Sequence, residues 1–98
     1  MIHNHAHARE QFFEAIRILA ASSDPIQTRV IDATPSILEV TIDEFEGDVE
    51  LKIRFARILD RLADLDDVEV VAFETAAHMT DVEAVRLADL LCDFYADL

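Results

Sequence analysis

Three histidines alternate near the start of the chain, within the segment IHNHAHARE. Imidazole nitrogens are common ligands for zinc and nickel. His3 and His7 have the four-residue spacing that places two side chains on one face of a helix, whereas His5 joins them on one face only in a strand. We predict a flexible, histidine-rich lead-in over residues 1–6, because terminal residues are usually mobile. The chemical alternative is an adventitious zinc or nickel site at these three histidines.

A second cluster is acidic and surrounds Gly47, the only glycine of the chain. Its carboxylates belong to Asp43, Glu44, Glu46, Asp48 and Glu50. An EF-hand calcium loop needs ligands at fixed positions and a closing glutamate, but Phe45 stands at one of the ligand positions. The cluster therefore predicts a contact surface for a basic protein partner. The alternative is a solvated loop whose charge favours the N-terminus of the next helix.

Residues suited to catalysis are few. Ser22, Ser23 and Ser36 have no neighbouring histidine and no nucleophile-elbow pattern around them. Cys92 is the only cysteine, and the adjacent Asp93 disfavours a thiolate there. We predict that this cysteine is a small core or interface residue. The sequence thus predicts a non-enzymatic protein with no resident cofactor.

Two further polar groups have helical spacing. Glu74 and His78 are four residues apart and predict a surface pair or a half-buried histidine rather than a metal site. Gln27, Arg29 and Asp32 lie near the start of a predicted helix. We expect these three to link segments of the fold first and to contact a partner second.

Composition limits both the architecture and the partners. The 98 residues are 52% apolar with one glycine and two prolines, which predicts a single domain over 1–98 that is rich in helix. The net charge of −13 disfavours binding to a nucleic-acid backbone and suits a basic protein or mimicry of a polyanion. The lone cysteine and the lack of a membrane span or signal-peptide pattern predict a cytoplasmic protein.

Apolar residues that recur every three or four positions predict an all-α fold, a compact bundle of four to five helices. The predicted helices cover 7–21, 25–40, 48–65, 68–78 and 81–97. Pro35 has no N–H to donate, so the second helix is predicted to be kinked or split there. Thr80 and Glu83 have capping-box spacing and mark the start of the last helix.

The last predicted helix has a wide apolar face. The stripe predicted to face the core consists of Val85, Ala88, Leu91 and Tyr95, thickened by Leu87, Leu90 and Phe94. Helices with such wide faces commonly dimerise or receive a partner helix. The sequence therefore predicts a homodimer or another protein partner for this helix.

Three segments, FFEAIRILA, PIQTRVIDA and AAHMTDVEAVRLADLLCDFY, resemble small, functionally uncharacterised bacterial helical proteins. The resemblance covers both ends of the chain and is weak in the middle, at Pro35 and the acidic cluster. It implies a compact bacterial helical domain. It implies no activity, ligand or site residue.

These patterns favour a small acidic bacterial interaction or regulatory protein that binds another protein through an acidic surface and an apolar helix face. One alternative is a nucleic-acid-mimicking inhibitor, of phage or mobile-element type, that binds a basic nucleic-acid-binding protein. Another is a metal-binding helical protein that uses the N-terminal histidines.

Overall fold

The computed structural model describes residues 5–66 and 80–98 of the chain. These residues form four α-helices and one short 3₁₀ helix: α1 (Ala6–Ala21), α2 (Ile26–Leu38), the 3₁₀ helix (Ile42–Phe45), α3 (Val49–Asp66) and α4 (Asp81–Ala96). No strand occurs within the two described ranges, so the predicted all-α bundle is confirmed there. The predicted helix 68–78 lies outside the described residues.

Helix α1 begins at Ala6, one residue before its predicted start and inside the predicted lead-in. Its buried residues follow the helical period and are Ala8, Phe12, Ala15 and Leu19. Phe12 and Leu19 lie at the helical spacing that predicts an inward face, and both are buried. Phe13, adjacent to this stripe in the sequence, is 46% exposed. Packing of α1 is mainly against α2, which lies next in the chain.

Helix α2 continues through Pro35 as one helix, so the predicted alternative of a split helix is wrong. A kink at this proline stays a prediction. The Pro35 ring lies on the exposed side of the helix, where it does not disturb the core. The preceding Thr34 is buried, and its hydroxyl donates to the Val30 carbonyl at 3.0 Å. The buried hydroxyl is therefore satisfied inside the helix itself.

The start of α2 differs from the predicted one. Pro25 occupies the N-cap position, and its carbonyl accepts the first helical hydrogen bond, from Arg29 N at 3.0 Å. Asp24, which precedes Pro25, does not cap the helix, and its backbone N–H donates to the Ser22 hydroxyl at 3.1 Å. The Ser22 hydroxyl in turn donates to the Asp24 carboxylate at 3.2 Å, which closes a local turn before the helix.

Four phenylalanine rings, one from each of four elements, form the centre of the core. They are Phe12 of α1, Phe45 of the 3₁₀ helix, Phe55 of α3 and Phe94 of α4, all fully buried. Ring centroids are 4.9 Å apart for Phe12 and Phe94, and 5.0 Å apart for Phe45 and Phe55. Aromatic pairs at such distances add about 0.5–1.5 kcal/mol beyond the burial of their area. This cluster is where the elements meet.

Helix α4 faces the core with most of its predicted apolar face, and Val85 is the exception. Its buried residues are Ala84, Leu87, Leu91 and Phe94, whereas Val85 is 52% exposed. Apolar residues occupy adjacent positions at every turn of this helix, so periodicity alone did not fix its rotation. The predicted start of this helix is confirmed with Thr80 as the N-cap, since its hydroxyl accepts from Glu83 N at 3.1 Å and lies 3.1 Å from the Glu83 carboxylate.

An ion pair joins α3 to the end of α4. Arg54 lies in the second turn of α3 and donates to the Asp97 carboxylate at 2.6 Å. Its guanidinium also lies 5.3 Å from the centroid of the Phe94 ring, within the range of a cation–π contact. The first turns of α3 therefore lie beside the last turn of α4.

Candidate functional site

The histidines converge on a single glutamate. His5 precedes α1, and its Nδ1–H donates to the Glu44 backbone carbonyl at 3.2 Å. His7 lies in the first turn of α1, and its Nδ1–H donates to the Glu44 carboxylate at 2.8 Å. The His5 ring also lies 5.3 Å from the ring of Phe45. These imidazoles thus connect the start of α1 to the 3₁₀ helix.

The predicted metal site is not assembled by these two histidines. Among the described residues, no group of three or more histidine, cysteine, aspartate or glutamate side chains could hold a metal ion. His3, the third histidine of the predicted set, lies outside the described residues. Glu74 and His78 lie outside them too. A metal site that includes His3 stays a prediction.

The acidic cluster contains the 3₁₀ helix and the N-cap of α3, so it is not simply a loop. Glu44 accepts a hydrogen bond from the Thr41 backbone N–H at 2.8 Å and completes a capping box at the start of the 3₁₀ helix. Asp48 accepts from Leu51 N at 3.1 Å and so caps the start of α3. Gly47 has φ 94°, a value that glycine adopts without strain, and it allows the chain to turn between the two helices.

Three of the five predicted partner-contacting carboxylates therefore have partners within the chain. Besides Glu44 and Asp48, Glu46 pairs with the Lys52 ammonium at 3.2 Å. Asp43 and Glu50 are exposed and make no ion pair among the described residues. The free acidic surface of this segment is consequently smaller than its composition indicates.

The polar residues at the start of α2 link segments, as predicted. Gln27 Nε2 donates to the Asp81 carboxylate at the first residue of α4. Arg29 donates to the Leu19 carbonyl at 2.7 Å, and Leu19 belongs to the last turn of α1. Asp32, the third residue of the predicted group, is exposed. Helix α2 is thus joined to both of its neighbours near its N-terminus.

Large apolar side chains remain exposed although the core is closed. The described residues of this kind are Phe13, Leu38, Val49, Ile53, Val82 and Val85. Four of them form two pairs at helical spacing. Val49 and Ile53 on α3 are 71% and 49% exposed, and Val82 and Val85 on α4 are 59% and 52% exposed. Each pair lies on one side of its helix because residues three or four apart are neighbours on a helix surface.

The exposed side of α4 combines apolar and acidic residues. We call Val82, Val85, Asp89 and Asp93 the α4 outer face. Both aspartates are exposed and make no ion pair among the described residues. This face was not identified from the sequence, because Val85 was assigned to the core stripe.

Cys92 lies beside the α4 outer face and is exposed, so of its two predicted roles the core position is wrong and the interface position stays a prediction. Partial desolvation raises the pKa of its thiol, and the charges of Asp89 and Asp93 raise that pKa further. A raised pKa lowers the thiolate fraction at neutral pH. The arrangement therefore opposes nucleophilic chemistry at this cysteine.

The chain matches no protein-family model, no curated protein and no solved structure. Within the described residues, no helix has both the length and the apolar character needed to cross a membrane.

Proposed function

We propose that this chain is a non-enzymatic interaction protein that binds a basic, partly apolar surface of another protein through the α4 outer face. The observation that carries this proposal is the exposure of Val82 and Val85 on the same side of a helix as two aspartates that make no ion pair within residues 5–66 and 80–98. The proposed setting is the reducing cytoplasm, where the lone Cys92 stays a thiol.

The two valines supply the affinity. Full burial of an aliphatic side chain of this size stabilises by about 1.5–3 kcal/mol relative to leaving it exposed. Both valines are more than half exposed, so a partner that covers them removes apolar area that the fold leaves in water. An apolar centre with a charged border is also the usual anatomy of a protein interface.

The two aspartates supply the preference for a basic partner. Asp89 and Asp93 lie one helical turn apart, and neither makes an ion pair among the described residues. The whole chain carries a net charge of −13, which attracts basic surfaces over a distance and repels nucleic acid. Charge complementarity of this kind increases association rates and selects partners more than it adds affinity.

A comparison of immobilised variants tests the proposal. Columns that carry the chain, the double variant V82S/V85S or the control L38S are exposed to an extract of the cells that naturally make the protein. Leu38 is also an exposed apolar residue, but it lies on α2. We expect a protein that is retained by the chain and by L38S and lost from V82S/V85S, with retention that weakens as salt rises. Retention that is equal on all three columns, or absent from all three, would contradict the proposal.

The identity of a retained protein separates this proposal from the mimicry alternative. A retained nucleic-acid-binding protein that duplex DNA displaces from the column would identify the chain as a nucleic-acid mimic. A retained protein that DNA does not displace would identify it as a general interaction module for a basic partner.

A further inference from the structure

We infer that the α4 outer face of one copy binds α3 of a second copy, an inference that rests on the proposed function of that face. The exposed side of α3 presents Val49, Ile53, Arg57 and Arg61, which we call the α3 outer face. Neither arginine makes an ion pair among the described residues. The second copy therefore supplies two exposed apolar side chains and two arginines, the groups that the α4 outer face would contact.

The two faces carry complementary residues in the same order along the chain. Each face begins with two exposed apolar side chains and continues with two arginines on α3 or two aspartates on α4, and charges of the opposite sign, Asp60 on α3 and Arg86 on α4, lie among them. At a rise of 1.5 Å per residue, the α3 outer face spans about 18 Å and the α4 outer face about 16 Å. Two such helices lying side by side in the same direction would place the apolar pairs together and the arginines beside the aspartates.

One copy cannot bring its own two apolar pairs together. The pairing of Arg54 with Asp97 places the first turns of α3 beside the last turn of α4. Val82 lies in the first turn of α4, about 20 Å away along that helix. A two-fold axis that exchanges the two ends would bring the start of each α3 beside the start of the partner's α4. Both contacts then form at once, as in an isologous dimer.

Each helix also presents exposed residues of the opposite charge. Glu50 and Asp60 lie on the same side of α3 as Arg57 and Arg61, and Arg86 lies one turn after Val82 and one turn before Asp89 on α4. In the proposed alignment Asp60 would lie near Asp93 of the second copy, where two like charges repel. The change D60N therefore provides a variant that should strengthen the association, and it complements the variants that should weaken it.

Light scattering on the full chain at micromolar concentration and physiological salt tests this inference, because salt screens the repulsion between two chains that each carry a net charge of −13. We expect a mass of twice 11.1 kDa. The variants D89R/D93R and R57D/R61D should each weaken the dimer by about tenfold or more, since like charges then face each other across the contact. Mixed in equal amounts, the two variants should restore the dimer, because each variant then meets the opposite charge. The variant R17D, which alters an exposed arginine on α1, should leave the mass unchanged.

Each outcome of this experiment has a definite meaning. A wild-type chain with the mass of one copy overturns the inference, and so does a mixture of the two variants that does not associate. A mass of one copy together with a retained protein lost from the V82S/V85S column would overturn the second copy as partner and leave the proposed function standing. Far-UV circular dichroism of each variant confirms that loss of association is not loss of fold.

Discussion

His7 and Glu44 lie 37 residues apart in the chain, and their side chains form a hydrogen bond of 2.8 Å. The other oxygen of the Glu44 carboxylate accepts from Thr41 N, also at 2.8 Å. A single carboxylate thus closes the turn that begins the 3₁₀ helix and attaches this turn to α1. The segment SILEVTIDEFEGDV is in this way connected to the start of the chain by side chains and not only by the backbone.

The first prediction concerns this carboxylate. Because E44A removes both the cap of Thr41 N and the contact with His7, we expect it to lower the free energy of unfolding by about 1–2 kcal/mol. Urea denaturation followed by circular dichroism measures this change. The control is D43A, since Asp43 is exposed and has no ion pair among the described residues, and we expect an effect within about 0.5 kcal/mol. Equal losses in the two variants would show that Glu44 has no special role.

The second prediction concerns Phe45, which is fully buried although carboxylates surround it in the sequence. Because its ring packs against Phe55 and Phe94, we expect F45A to lower the free energy of unfolding by about 3–5 kcal/mol. F45L keeps most of the volume and should lose less, which gives a measurable variant if F45A does not fold. The exposed Phe13 provides the control, and F13A should lose clearly less than F45A. Unfolding curves with F45L no less stable than F13A would contradict this assignment.

The third prediction concerns Pro35, which lies inside α2 and cannot donate to the Ile31 carbonyl. Because alanine restores that hydrogen bond and removes the ring, we expect P35A to raise the free energy of unfolding by about 1–2 kcal/mol. The gain is reduced because proline also restricts the unfolded chain. Thermal unfolding of P35A beside S36A measures the effect, and S36A should change stability only slightly. A P35A variant less stable than the natural chain would contradict the prediction.

The fourth prediction concerns the thiol of Cys92, whose pKa is raised by partial desolvation and by Asp89 and Asp93. Thiolate is the reactive form, so at pH 8 iodoacetamide should modify Cys92 more slowly than a free cysteine peptide. The variant D89N/D93N removes two negative charges, which lowers the pKa, increases the thiolate fraction and speeds the reaction. The change E10Q on α1 serves as the charge control and should leave the rate unchanged. A rate at Cys92 equal to that of the free peptide would contradict the assigned pKa shift.

Much of the fold was predictable from the sequence because its helices have strong signals. Apolar periodicity located α1 and α3 to within one residue at each end, and the Thr80–Glu83 spacing located the start of α4. The 3₁₀ helix was missed although Thr41 and Glu44 have the same capping-box spacing. The capping-box spacing is present, but only one helical turn follows Thr41. Acidic residues dominate that turn, so its composition is typical of a loop.

The candidate site was less predictable for a physical reason. A helix with apolar residues at adjacent positions in every turn has several rotations that bury similar area, and neighbouring elements decide among them. In α4 the rotation set by packing against the neighbouring elements buries Ala84 and exposes Val85, and this exposure creates the α4 outer face. The partners of Glu44 and Glu46 are likewise set by tertiary contacts and by turn geometry that composition does not contain.

Site-specific photo-crosslinking at residue 85 tests the central claim most directly. Val85→p-benzoylphenylalanine places a reactive group in the middle of the α4 outer face, and the same replacement at Arg17 on α1 is the control. In the cells that make the protein, illumination should give a covalent product from position 85 that position 17 does not give. We predict a product of twice 11.1 kDa joined to a peptide of α3. A product with a different protein would support binding by this face and exclude the second copy, and no product beyond that of the control would contradict the claim that this face binds a protein.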